Sequence, residues 1–125
     1  MAARNSNGRG RSRRIPTNGR KPTVGYVSCR VKPGMFPGEY LVSFEAADPQ
    51  KPGEKIAVQL LADERDVIIR SGIPERDRPA SGMLRVEILE RGAGSAWIVL
   101  PQPAQPVGER AYVEDDLLEQ ERVEA

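Results

Sequence analysis

The sequence predicts an all-β domain, a small partly closed barrel of about six short strands. Three observations predict it. Apolar and polar residues alternate with period two in several short stretches. Eleven prolines and twelve glycines fall mostly between those stretches. Finally, only about 95 of the 125 residues have the composition of a folded core, which suits one small domain and short strands.

The elements follow in order. From Thr23 to Val31, Val27, Cys29 and Val31 fall on one face and Tyr26, Ser28 and Arg30 on the other. From Glu39 to Ala46, Tyr40, Val42, Phe44 and Ala46 oppose Glu39, Ser43 and Glu45. Such alternation marks half-buried strands, and Pro33, Gly34, Pro37 and Gly38 between them are turn residues. Pairing Lys32 with Glu39 matches apolar with apolar and charge with opposite charge. It sets Val31 against Tyr40, Cys29 against Val42 and Val27 against Phe44, with Ser28–Ser43 and Tyr26–Glu45 on the outer face. Ile56, Val58 and Leu60 form a third strand, and Val67-Ile68-Ile69 a short fourth. Leu84, Val86 and Ile88 make a fifth, Ala96–Leu100 a sixth, and Arg110–Val113 the last. Asp116 with Glu119 has capping-box spacing, which predicts a short helical turn placing Leu117 and Leu118 over the core. The strand style resembles that of SH3-like barrels, without the signature motif of any named family.

Charge divides the chain further. Residues 1–22 hold seven basic residues and no acid, residues 23–108 ten basic against eleven acidic, and residues 109–125 two against seven. The first segment has almost no aliphatic content, so the expectation is a disordered basic arm over 1–22. A barrel over 23–119 and a frayed acidic end over 120–125 follow it. The acidic segment reads by default as a solvated end.

Composition excludes much chemistry. The chain has no His, the commonest general base and zinc ligand. Its one Cys rules out an internal disulfide and suggests a reducing, cytoplasmic setting. No apolar run reaches the roughly 20 residues of a membrane span. Neither GxxxxGK[ST] nor GxGxxG occurs. Cys29, on an inward face, reads as core. Glu45 and Glu87 lie on outward faces, and Asp63, Glu64 and Asp66 cluster in what reads as a surface loop without EF-hand spacing. Pro49/Pro52 and Pro103/Pro106 fit PxxP, but in so proline-rich a chain they read as connecting loops. No catalytic residue, metal site or cofactor is expected.

The functional features are cationic. Arg9, Arg11, Arg13, Arg14 and Arg20 in the arm are suited to phosphate contact. The chain uses fifteen Arg against four Lys throughout, as a GC-rich genome would produce, which makes arginine itself less telling. Tyr26, Arg30 and Lys32 share the outward face of the first strand, a ring beside two cations. The competing reading has Glu39 and Glu45 neutralising those cations. Trp97 depends on register: a loop over 91–94 sets it against Ile88 in the core, the favoured place for a large ring, and a loop over 91–95 moves it outward beside Leu89. The expectation is a non-enzymatic module that contacts RNA or DNA through its basic arm. The alternative is a protein-interaction domain, using a strand edge or an exposed Trp97, whose arm serves only solubility.

Overall fold

The first hairpin owes its shape to Phe36-Pro37-Gly38-Glu39. Glu39 N donates to Phe36 O at 3.2 Å with Gly38 at φ 81°, the turn that Pro at its second and Gly at its third position favour. This tight turn lets the strand run on to Pro33, and beyond it Gly34 N donates to Glu39 O at 2.9 Å. A Cβ on Gly34 would lie 2.6 Å from that oxygen, so the position admits no side chain. The pairing is therefore Arg30–Ser43, Val31–Val42, Lys32–Leu41 and Pro33–Tyr40. It lies two residues from the expected register: the faces are kept and every predicted neighbour changes. Lys51-Pro52-Gly53-Glu54 repeats the recipe, with Glu54 N donating to Lys51 O at 3.0 Å and Gly53 at φ 87°.

The computed structural model describes residues 23–120; residues 1–22 and 121–125, where the basic arm and most of the acidic end were expected, lie outside them. In chain order the elements are β1 (Thr23–Pro33), β2 (Glu39–Ala47), β3 (Lys55–Asp63), a 3-10 turn (Glu64–Asp66) and β4 (Val67–Ser71). Then come β5 (Ala80–Arg91), β6 (Ser95–Ala104), β7 (Gly108–Glu114), a second 3-10 turn (Asp115–Leu117) and β8 (Leu118–Gln120). The domain is a small β-barrel closed by five strands, β1–β2–β7–β6–β5 and back to β1. β3 extends the sheet beyond β2, β4 pairs with β5, and β8 pairs with β1. All pairings are antiparallel.

Inward residues of every barrel strand meet in one core, with Val27, Val31, Val42, Val58, Leu84, Ile98 and Val113 fully buried. Each such side chain contributes about 1.5–3 kcal/mol by leaving water. No polar or charged residue is buried among the described residues.

Two expectations are corrected at the C-terminal end. The turn begins at Asp115, its cap residue Glu114 makes no side-chain capping bond, and Glu119 lies in β8 rather than closing a capping box. Asp115 N is held instead by Gly94 O at 2.9 Å. The barrel also does not end at Val113: Leu118–Gln120 adds a strand against Gly25–Val27, too short to show any periodicity. The acidic segment is thus built into the fold up to Gln120. Glu114 pairs with Lys55 at 2.9 Å, Glu119 with Arg70 at 3.6 Å and Asp115 with Arg91 at 3.9 Å.

Candidate nucleic-acid interface

Because β1 is central, its outward residues have neighbours on two sides. Tyr26 lies between Arg85 of β5 and Glu119 of β8. Ser28 lies beside Met83 and donates its Oγ hydrogen to Met83 Sδ at 3.7 Å. Arg30 stands between Ser81 of β5 and Ser43 of β2, and Lys32 is opposite Leu41. The expected outer pairs Lys32–Glu39, Ser28–Ser43 and Tyr26–Glu45 do not form. β1 parts from β2 above Arg30, and the Pro-Gly turn moves Glu39 opposite Gly34.

That geometry decides how the cations are partnered. Glu39 is occupied by its own hairpin, its Oε1 accepting from Met35 N at 3.0 Å. Among the described residues neither Arg30, Lys32 nor Arg85 forms an ion pair. Arg70, in contrast, reaches from β4 across β5 and β1 to Glu119. The outer face therefore brings together Tyr26, Arg30 and Lys32 as the alternation predicts. It adds Arg85, which strand periodicity marks as outward but which only the β1–β5 pairing places beside Tyr26. The arm residues Arg9, Arg11, Arg13, Arg14 and Arg20 lie outside the described residues.

Where β1 leaves β2, the ladder has a gap. β1 pairs with β8 at Gly25–Val27 and with β2 from Arg30 onward, while β2 next meets β7 only at Ala47. The fork opens a cavity of about 760 Å³. Arg30, Ser28, Ser43, Ser81 and Glu45 line it, over apolar walls that include Phe44 and Leu117. A second groove, about 640 Å³, runs beside the hairpin tip between Lys32, Met35, Leu41, Leu61 and Arg76. Met35 and Phe36 at that tip are 79% and 67% exposed.

The remaining candidates resolve individually. Cys29 is in the core, and burial pushes its thiol up to about 12, away from nucleophilic use. Asp63 caps the first 3-10 turn, accepting from Arg65 N at 3.1 Å, and no group of three or more metal-ligating side chains occurs among the described residues. Glu87 is half-buried in β5 opposite Val99. Pro49 and Pro52 sit in the β2–β3 turn; Pro103 is within β6 and Pro106 follows a cis peptide bond.

Trp97 is not in the core, contrary to expectation. The β5–β6 turn is tighter than either expected loop, with Arg91 opposite Ala96 and Gly92 N donating to Ser95 O at 2.8 Å. A bulge at Leu89 adds a residue to β5, so Glu90 opposes Trp97 while Ile88 still opposes Ile98. The bulge keeps Ile88 and Ile98 inward and turns Trp97 outward. There it is half-buried against Tyr112, with ring centroids 5.1 Å apart.

Among the described residues no helix is long and apolar enough to cross a membrane. No family model, curated protein or solved structure matches the chain.

Proposed function

We propose that this protein is a non-enzymatic binding module that contacts nucleic acid with little sequence specificity, through its basic arm and the outer face of β1. The observation that carries the reading is the row of Tyr26, Arg30 and Lys32 along the outer face of β1, with Arg85 opposite the half-buried Tyr26 and none of the three cations in an ion pair among the described residues. Cations beside a ring supply phosphate contact and a stacking surface together. The surroundings sharpen the effect. Residues 23–120 carry eleven basic and sixteen acidic side chains, so a polyanion is repelled by most of the domain and admitted along this strip. The arm, with seven cations, supplies the attraction. A binding rather than catalytic role is favoured because no described carboxylate is buried, and burial is what separates an acid role from a base role. The cytoplasmic setting suggested by the lone Cys29 fits this reading.

Arg30→Glu/Lys32→Glu/Arg85→Glu in the full chain tests it by anisotropy of a fluorescein-labelled single-stranded RNA. Losing three phosphate contacts lowers the slope of log affinity against log salt by about 2. An unchanged slope and affinity would remove the outer face from the reading.

The hairpin groove supports a second reading, a protein-interaction domain. Met35, Phe36 and Leu61 are exposed beside Lys32 and Arg76, and exposed apolar surface of this kind marks protein contact. Trp97 does not serve that role, because its ring is packed on Tyr112.

A further inference from the structure

We propose that the fork between β1 and β2 holds a nucleoside 5′-monophosphate, the phosphorylated end of a bound strand. The inference rests on the nucleic-acid reading and deepens it by naming what the fork recognises. Its basis is a convergence of donors. Ser43 and Ser81 flank Arg30 on the two neighbouring strands, and Ser28 is two residues away on the same face. All four line one cavity. Directly opposed residues in a sheet lie about 5 Å apart, so a serine hydroxyl stands on either side of Arg30, in reach of a phosphate held on its guanidinium. Ser28 is held only by its weak contact to Met83 sulfur, which is given up at little cost.

The number of donors selects the chemistry. A monoester offers three unbridged oxygens and close to two negative charges; a diester offers two oxygens and one charge. Arg30 can donate two parallel N–H bonds and each serine one O–H bond, and the third oxygen and second charge of a monoester engage this set more fully than a diester does. Glu45 lines the same cavity. It lies two residues beyond Ser43, past the last β1–β2 pair and away from Arg30, where its carboxylate repels a further phosphate and accepts from a ribose hydroxyl or a base amino group. A strand therefore ends at the fork and does not run through it. The apolar walls at Phe44, Val58 and Leu117 provide a surface for the terminal base. A cavity of about 760 Å³ lies within the ordinary range for small-molecule sites.

The test compares two single-stranded RNA 12-mers of one sequence, labelled at the 3′ end and carrying either a 5′-phosphate or a 5′-hydroxyl. Anisotropy is read on the full chain, on Arg30→Gln and on Ser43→Ala/Ser81→Ala, with circular dichroism to check the fold. Calorimetry with AMP and adenosine forms a separate arm. The proposal predicts that the 5′-phosphate tightens binding about tenfold, the yield of one good charge-assisted contact. Both variants lose this preference, and the double serine variant binds the 5′-hydroxyl strand as the parent does. Equal affinity for the two ends, with strand binding intact, overturns the fork proposal and leaves the general reading standing. AMP binding that depends on Arg30, without binding of either strand, upholds the chemistry of the fork and overturns the nucleic-acid reading. Binding of neither strands nor AMP overturns both.

Discussion

Gly82 in β5 is the position where a single methyl group most directly tests the packing behind the outer face. It is buried between β4 and β1, and a Cβ there would lie 2.7 Å from the carbonyl oxygen of Ile68 and 3.0 Å from Val31 Cγ2. Ordinary carbon–oxygen contacts begin at about 3.3 Å, so Gly82→Ala must push β4 outward by about half an ångström or move Val31 within the core. Overpacking of this kind costs about 1–3 kcal/mol, reduced by a few tenths through the stiffer unfolded chain. A net loss of about 2 kcal/mol lowers Tm by about 10 °C in a domain of this size. Gly53→Ala is the control, since Gly53 has φ 87° and nothing within 4 Å of its would-be Cβ. Only the backbone cost of about 1 kcal/mol applies there. Urea unfolding followed by the emission of Trp97, the sole tryptophan, reads both. If Gly82→Ala is as stable as the parent, or no worse than Gly53→Ala, the close approach of β4 to β5 is wrong.

Other outcomes follow from the same packing. Ile98→Ala, at a fully buried site, costs about 2–5 kcal/mol in urea unfolding, and a loss below 1 kcal/mol would contradict its central place. Tyr112→Ala removes the ring against Trp97, costs about 1 kcal/mol and shifts Trp97 emission to the red; unchanged emission would refute the pairing. Burial raises the Cys29 thiol from 9.0 to about 12. The folded state therefore binds the proton more tightly than the unfolded one. This contribution to stability is complete below pH 9 and lost as pH rises from 9 towards 12, and a Cys29→Ala variant flattens that part of the stability–pH curve. Native Cys29 accordingly resists thiol reagents at pH 8 until urea opens the fold.

How far the sequence could be read depended on the kind of information each element carries. Alternation at Val27, Cys29 and Val31, and at Val42, Phe44 and Ala46, assigned the faces correctly because side-chain direction is a local property of a strand. The partner of each face was not local. Charge pairing favoured Lys32 opposite Glu39, but the Pro37–Gly38 turn set the register two residues away. Trp97 failed for a related reason: loop length offered two registers, and the turn is shorter than both, with the bulge at Leu89 restoring the Ile88–Ile98 pairing of the second and so turning Trp97 outward. β8 has only three residues, of which Leu118 is buried, too few to make a pattern. The candidate site shows the same division. Tyr26, Arg30 and Lys32 were legible on one strand, whereas Arg85, Ser43 and Ser81 become their neighbours only through pairings that span from about 13 to nearly 60 positions.

The central claim is that electrostatic attraction by the arm and the β1 face brings nucleic acid to this domain. The most direct measurement is anisotropy of labelled single-stranded RNA and duplex DNA at two salt concentrations. It compares the full chain with Arg9→Gln/Arg11→Gln/Arg13→Gln/Arg14→Gln/Arg20→Gln. The account predicts binding by the parent that weakens steeply with salt, and a variant with weaker binding and a salt slope reduced by about 3.5 for the single strand and about 4.5 for the duplex. Absence of binding by the parent to either nucleic acid, or binding indifferent to both salt and the substitutions, would contradict it.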